Sequence, residues 1–227
     1  MLLTALSFCI ASCSKDDDEV PSVQTNCTLE VGQTFDLGFK GEWLTSNPFV
    51  ATINQNGIIT AERMGKARVV LNKHNLYCDV TVTPGYTFYN EPITKWGISK
   101  NELIEKRGMP DAAEDDMLGY ITDNEALPIE MYTFEDYRLK SCSLMGDAGY
   151  KNSIIKHLEQ RYKYIETYEG IMIYADAETP NKANTAIGLS CQNGLAIIIY
   201  MEINSSRGDI FITDYMNRIK SQIMNKM

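Results

Sequence analysis

The chain has 227 residues, 44% hydrophobic and 22% charged, which is an ordinary globular composition with room for one large or two modest domains. Its formal net charge of −9 and the absence of any Lys/Arg cluster leave it unable to neutralise phosphates, so we expect no nucleic-acid partner and no attraction to anionic lipid. It contains no G-x-S-x-G, H-E-x-x-H or phosphate-loop motif, and we therefore predict no catalytic residues, no cofactor and no metal.

The first residues form a targeting segment. Residues 2–10 are an apolar run of the size of a signal-peptide core, much shorter than the roughly 20 residues that span a bilayer. The run leads into Ile10-Ala11-Ser12-Cys13 and then into the charged stretch Ser14-Lys15-Asp16-Asp17-Asp18-Glu19. We predict a signal peptide over residues 1–12 and an acidic spacer over residues 13–21.

The small-residue site ending in Cys13 resembles the lipobox of bacterial lipoproteins. The resemblance implies that Cys13 becomes the first mature residue and carries several acyl chains, which together anchor the protein lastingly. Ser14 resembles the residue that directs lipoproteins to the outer membrane, and residues 15–19 resemble the acidic export tag of Bacteroidetes surface lipoproteins. We expect a lipid anchor in the outer membrane, with the protein at the cell surface. An ordinary signal peptide followed by a solvated spacer is the alternative.

Residues 22–84 alternate in short segments broken by turns, the pattern of an all-β sandwich. We predict strands over residues 28–31, 43–45, 50–53, 58–61, 67–71 and 77–82. Asn56-Gly57 predicts a two-residue type I′ turn, in which both central residues have positive φ.

Six phrases of this stretch carry a family resemblance: Leu29-Glu30-Val31-Gly32-Gln33-Thr34, Trp43, Ser46-Asn47-Pro48, Val50-Ala51-Thr52-Ile53, Asn56-Gly57-Ile58-Ile59-Thr60-Ala61 and Gly65-x-Ala67. In these phrases the stretch resembles the bacterial Ig-like domain, group 2. The resemblance implies a β-sandwich that acts as a spacer on surface proteins and has no catalytic residues. Its first and last strands can run side by side, which would bring Cys27 and Cys78 within bonding reach. A disulfide between them is one prediction, and buried free thiols are the alternative.

Thr83-Pro84-Gly85 marks a domain boundary, and residues 85–227 predict an α+β domain. Ser99 and Glu102 form a capping box, and Gly108 ends that helix. A second helix is predicted over residues 153–165. Helix–strand–strand–strand then occurs twice, which predicts one antiparallel sheet with both helices on one face. The predicted strands are residues 86–89, ahead of the first helix, then 119–122, 128–134, 138–145, 170–174, 185–191 and 195–203.

The double unit is similar to the beta-lactamase-inhibitor-protein-like fold, both in element order and in the phrase from Tyr132-Thr133-Phe134-Glu135-Asp136 to Ser143-Leu144. The resemblance implies that the open face of the sheet binds other macromolecules. A hairpin at Asn193-Gly194 places apolar side chains on both faces of its strands. The second face, with Ile197, Ile199 and Met201, is therefore either covered by a helix predicted over residues 210–224 or is a binding surface.

Four further features are candidate sites. Arg207-Gly208-Asp209 spells the integrin-recognition tripeptide, although Asp209 also suits the N-cap of the last helix. Four carboxylates after the first helix suit calcium, although they lack an EF-hand register and solvation is the commoner explanation of such a group. His74, in a polar turn, and His157, on the second helix, have no partner histidine and receive no role. The four carboxylates are Asp111, Glu114, Asp115 and Asp116.

Together these features predict an outer-membrane or cell-surface lipoprotein that is a non-catalytic binding or adhesion module for a protein or glycan. The alternative is an envelope accessory or enzyme-inhibitor protein that grips a partner through its β-sheet. A polysaccharide enzyme would instead require a deep cleft with two carboxylates about 5 to 10 Å apart.

Overall fold

The computed structural model of the chain describes residues 24–72 and 76–203. The predicted signal peptide, Cys13, the acidic spacer, His74, the Arg207-Gly208-Asp209 motif and the helix predicted over residues 210–224 lie outside this part. Strands provide most of its regular structure and form three sheets. None of the helices in the described ranges is both long enough and apolar enough to cross a membrane.

The first region, residues 24–83, contains two small sheets. The four-stranded sheet has the order β1 (Gln24–Glu30), β7 (Tyr77–Thr83), β6 (Gly65–Leu71) and β3 (Trp43–Thr45). The three-stranded sheet has the order β2 (Thr34–Asp36), β5 (Ile58–Ala61) and β4 (Ala51–Ile53). β1 pairs with β7 in parallel, while the other pairs are antiparallel. Apolar side chains from both sheets, including Trp43, Ile59, Val69 and Val80, form one shared core.

All six strands predicted in this region occur, and the first and last lie side by side as expected. The type I′ turn predicted at Asn56-Gly57 is wrong, because only Gly57 of the two has positive φ (+81°). The Asn54 side chain accepts the N–H groups of Asn56 and Ile58 at 2.9 and 3.1 Å. This bonding holds a longer loop, closed where Asn54 N–H donates to the Ile58 carbonyl.

The second region, residues 85–203, contains one antiparallel sheet of eight strands in the order β12-β13-β14-β15-β11-β10-β9-β8. Each of two helices is followed by four strands. The first set is α1 (Lys100–Arg107), β8 (Ala112–Glu114), β9 (Met117–Ile121), β10 (Ile129–Glu135) and β11 (Arg138–Asp147). The second set is α2 (Lys151–Glu159), β12 (Lys163–Tyr168), β13 (Ile171–Ala175), β14 (Thr185–Gln192) and β15 (Leu195–Glu202).

The prediction of three strands after each helix is therefore wrong, because each set contains one more strand. β8 is exposed along its whole length, so it carries no pattern of buried side chains that a sequence could show. The second helix ends at Glu159 rather than at residue 165. Its predicted last turn belongs to β12, where Tyr, Ile and Thr side chains favour a strand.

The helix α1 begins and ends as predicted. The Ser99 hydroxyl accepts the Glu102 N–H, and the Glu102 carboxylate accepts the Ser99 N–H, completing the capping box. Gly108 follows the helix with φ of +101°, a conformation that favours glycine.

Each face of the large sheet carries its own apolar core. One core packs against α1 and α2 through Leu103, Ile154 and Leu158, with sheet residues such as Tyr132 and Ile198. On the other face, Ile197, Ile199 and Met201 are only 2 to 4% exposed. The predicted placement of Ile197, Ile199 and Met201 together on one face is confirmed, since Ile187, Leu189, Ile198 and Tyr200 belong to the core on the other face.

Gln160, directly after α2, joins the two regions. Its side-chain oxygen accepts the Gly85 N–H at 2.9 Å, and its backbone carbonyl accepts the Met64 N–H at 2.8 Å. One residue therefore bonds to both the first region and the boundary segment.

Candidate functional site

A cleft of about 850 Å³ opens beside the first half of the large sheet, a size typical of ligand pockets. Three separate parts of the chain form its walls: residues 87–93, the last turn of α1 and the loop of residues 122–127. β10 and β11 contribute Glu130, Tyr132 and Leu144.

Residues 87–93 form a wall without regular secondary structure. A strand was predicted over residues 86–89, and that prediction is wrong, because the backbone there bonds to side chains instead of to a neighbouring strand. The Phe88 N–H donates to Nδ1 of His157 at 3.1 Å, and the Phe88 carbonyl accepts the Asn124 side-chain amide at 3.0 Å. The Ile93 N–H donates to the Tyr132 hydroxyl at 3.0 Å. This wall is thus tied to the core near both ends.

The loop of residues 122–127 forms the opposite wall. The Asn124 side chain accepts the N–H groups of Ala126 and Leu127 at 2.9 and 3.2 Å, which fixes the turn. The loop lies directly on Gly146 of β11. A Cβ atom at Gly146 would come within 1.9 Å of the Ala126 carbonyl oxygen, so only glycine permits this approach.

A buried acid lies on β10. Glu130 is 5% exposed, and its carboxylate accepts Nε of Arg107 at 2.8 Å and the Tyr132 hydroxyl at 2.5 Å. Because Tyr132 also accepts the Ile93 N–H, its hydroxyl is satisfied on both sides. Burial raises the pKa of Tyr132, so the phenol stays protonated. The result is a rigid polar surface made from α1, β10 and the wall segment.

A second polar cluster lies behind Glu91. Its carboxylate accepts Nε2–H of His157 and the Tyr162 hydroxyl, each at 2.6 Å. The guanidinium of Arg161 donates to the Tyr86 carbonyl and to the Thr87 hydroxyl at 3.2 and 2.9 Å. Glu91 lines the cleft, whereas His157 does not. The cluster therefore positions the wall and does not offer a free base to the cleft.

Acidic groups outnumber basic ones around the cleft. The charged lining consists of four carboxylates and two cations, one of which pairs with Glu130. A polyanionic ligand would be repelled, while hydroxyl groups and cations would find acceptors. These residues are Glu91, Asp123, Glu125, Glu130, Lys106 and Arg107.

Sequence reasoning gave His157 no role, and the structure makes it the centre of the second cluster. Its partner Glu91 lies 66 positions earlier in the chain, and nothing in the sequence links the two. The predicted acidic loop is partly ordered by Lys100, whose ammonium contacts the carbonyls of Glu114 and Asp115. Within residues 24–72 and 76–203, no three His, Cys, Asp or Glu side chains group as metal ligands.

Cys27 and Cys78 lie on the paired strands β1 and β7, with their sulfur atoms 3.6 Å apart. Both are thiols in the structure, whereas a disulfide would require about 2.0 Å. The hydrogen bond from Cys78 lowers the pKa of Cys27, while the same contact, with burial as the second cause, raises the pKa of Cys78. The disulfide stays a prediction, and Cys27 is the thiol that would ionise first.

No protein-family model matches the chain, and comparison with curated proteins finds no similar sequence. The resemblances described above therefore stay predictions.

Proposed function

We propose that the protein is an outer-membrane or cell-surface lipoprotein, anchored through Cys13, that binds a protein or glycan ligand in the cleft without chemical turnover. The observation that carries this proposal is the preorganised polar lining of the cleft. Rigid hydrogen-bonding groups in a concave site give a ligand orientation and specificity.

The chemistry of the lining supports binding over catalysis. Both of the Glu130 oxygens are engaged, one by Arg107 and one by Tyr132, and both Glu91 oxygens are also hydrogen-bonded. Carboxylates held in this way serve as acceptors more readily than as nucleophiles or acids. Phe88 and Tyr150, whose rings lie 5.6 Å apart, add an aromatic surface at the cleft.

In this proposal the first region is an Ig-like spacer and the second is a duplicated unit of one helix and four strands. Binding through the sheet face, as in the accessory or inhibitor alternative, receives less support. The central strands are buried on both faces, which leaves the cleft as the more accessible site.

The anchor is tested by fractionating cells that express wild type or Cys13→Ser. We expect wild type in the outer membrane, with a lipid-modified Cys13 by mass spectrometry, and the variant free of the membrane. An unmodified amino terminus elsewhere in a soluble protein would reject the location.

The ligand site is tested with the chain from residue 13 bearing Cys13→Ser, used to probe a glycan array and surface-protein extracts. Exposed charges at the cleft are reversed by Lys106→Glu and Asp123→Lys, and Lys66→Glu, exposed in the first region, is the matched control. We expect both cleft variants to lose at least about tenfold in affinity, which corresponds to about 1.4 kcal/mol. Equal loss in the control, or no loss in either cleft variant, would reject the cleft.

A further inference from the structure

A buried histidine fastens one wall of the cleft. His157 is 0% exposed, and its ring stacks on Tyr89 with centroids 3.7 Å apart. Nδ1 accepts the Phe88 N–H, so the ring proton is on Nε2, which donates to Glu91. The neutral ring therefore uses both nitrogens, one as acceptor and one as donor.

Protonation of the His157 ring is incompatible with its hydrogen bond to the Phe88 N–H. In the imidazolium form both nitrogens are donors, so Nδ1–H would face the Phe88 N–H. That hydrogen bond cannot survive, and the added proton finds an acceptor only if residues 86–91 move away from α2.

We propose that His157 is an acid-sensitive latch: when it takes up a proton, residues 86–91 detach from α2 and the cleft loses a wall and its ligand. This inference rests on the proposed function, because it assigns a regulation to the same site.

Burial outweighs the charged neighbours of His157 and favours the neutral ring in the closed cleft. Glu91 attracts a proton, and Arg161 opposes it. The phenols Tyr89, Tyr162 and Tyr200 are held neutral, since burial raises the pKa of each. Burial is the largest influence on His157 and lowers its pKa below the ordinary 6.5.

The direction of the pH effect follows from the difference in the pKa of His157 between the closed and the open form of the cleft. In the open form, in which residues 86–91 are detached from α2, the His157 ring is exposed and has a pKa near 6.5. This pKa is higher than that of the buried ring in the closed form. Lowering the pH below about 6.5 therefore favours the open form, by up to about tenfold for each pH unit until the pKa of the closed form is reached.

Detachment of residues 86–91 would also disturb the loop of residues 122–127. Phe88 and Glu91 both line it, and the Phe88 carbonyl also holds the side chain of Asn124 in the opposite wall. Release of one backbone bond would thus loosen contacts to both walls.

The test measures the wall without any ligand. The chain contains only two histidines, so His74→Gln leaves His157 as a single imidazole resonance in NMR spectra. We expect that resonance to titrate below pH 6.5. We also expect hydrogen exchange of residues 86–91, corrected for the intrinsic rate, to accelerate severalfold from pH 7 to pH 5.

The decisive variant is His157→Gln, whose amide oxygen can accept the Phe88 N–H and whose amide nitrogen can donate to Glu91 without titrating. We expect it to keep slow exchange at both pH values, while His74→Gln behaves as wild type. Equal acceleration in His157→Gln, or a His157 resonance in His74→Gln that titrates with a pKa of 6.5 or higher, would overturn the latch. Absence of any ligand at pH 7 would reject the proposed function and leave this measurement intact.

Discussion

The two regions of the molecule differ in what their interiors contain. The core of the first region is apolar apart from its cysteine thiols, whereas every buried polar or charged side chain of the described ranges belongs to the second region. Buried polar groups are costly unless they are fully bonded. The interior of the second region therefore depends on hydrogen bonding in a way that the interior of the first does not, and one of its buried polar side chains, Glu130, lines the cleft. These side chains are Glu130, Ser141, Ser143, His157, Arg161, Thr185 and Ser190.

The strongest test of this comparison removes residues 204–227, which include the helix predicted to cover the second face of the sheet. Seven apolar side chains on that face are buried. Exposing them would remove about 10 kcal/mol of stabilisation, comparable to the whole stability of a domain. We expect loss of near-UV circular dichroism from the second region and strong binding of a hydrophobic dye. Deletion of residues 225–227 is the control, and a folded monomer ending at residue 203 would show that the predicted helix is not the cover.

A bridge between Cys27 and Cys78 would strengthen only the first region. Closing a loop of about 50 residues constrains the unfolded chain by about 4 kcal/mol in the entropic description. We expect oxidised protein to unfold at higher urea than reduced protein in this region alone, while Cys142→Ser leaves the difference unchanged. Identical unfolding and electrophoretic mobility with and without reductant would exclude the bridge.

Removing one carboxylate from each region sharpens the contrast between their interiors. Glu130→Ala removes the carboxylate that accepts hydrogen bonds from Arg107 and the Tyr132 hydroxyl. We expect this change to lower the free energy of unfolding by about 3 kcal/mol. Glu62→Ala removes a half-buried acceptor of the Thr52 hydroxyl in the first region, and we expect a loss below about 1 kcal/mol. Urea titration of both variants measures the two losses, and equal losses would contradict the distinction.

The smallest effect is expected at the junction. Gln160→Ala removes the side-chain bond to Gly85 and keeps the backbone bond to Met64, so stability should fall by less than about 1 kcal/mol. We expect more independent tumbling of the two regions in NMR relaxation. Asn181→Ala, on an exposed turn of the second region, is the control, and unchanged tumbling would show that the Gln160 side chain does not fix their orientation.

The two Asn-Gly pairs show how far local sequence can predict structure. Asn193-Gly194 forms the predicted two-residue turn, with both residues at positive φ and Gln192 opposite Leu195. Asn56-Gly57 does not, because Asn54 offers the loop a competing side-chain acceptor. Most strand positions, the two faces of the last hairpin and the α1 caps depend on nearby residues and were predictable, whereas the strand predicted over residues 86–89 does not form. The missed β8 is held through backbone pairing with β9, which no side-chain pattern reveals.

The cleft could not be predicted for a different reason. Its walls come from residues 87–93, 106–107 and 122–127, and its two polar clusters join residues 23 and 66 positions apart. Each of these segments alone resembles an ordinary loop or helix end. Only the order of the strands in the large sheet brings them together.

The parallel pairing of β1 with β7 has a mechanical consequence. The register runs from Gln24 beside Tyr77 to Glu30 beside Thr83. The chain therefore enters this strand pair at one end and continues into the second region from the other end, about 20 Å away. If the amino terminus is tethered by the proposed anchor and the cleft holds the proposed ligand, tension between them would pull the two strands past each other lengthwise. Their backbone bonds would then share the force together instead of opening one after another.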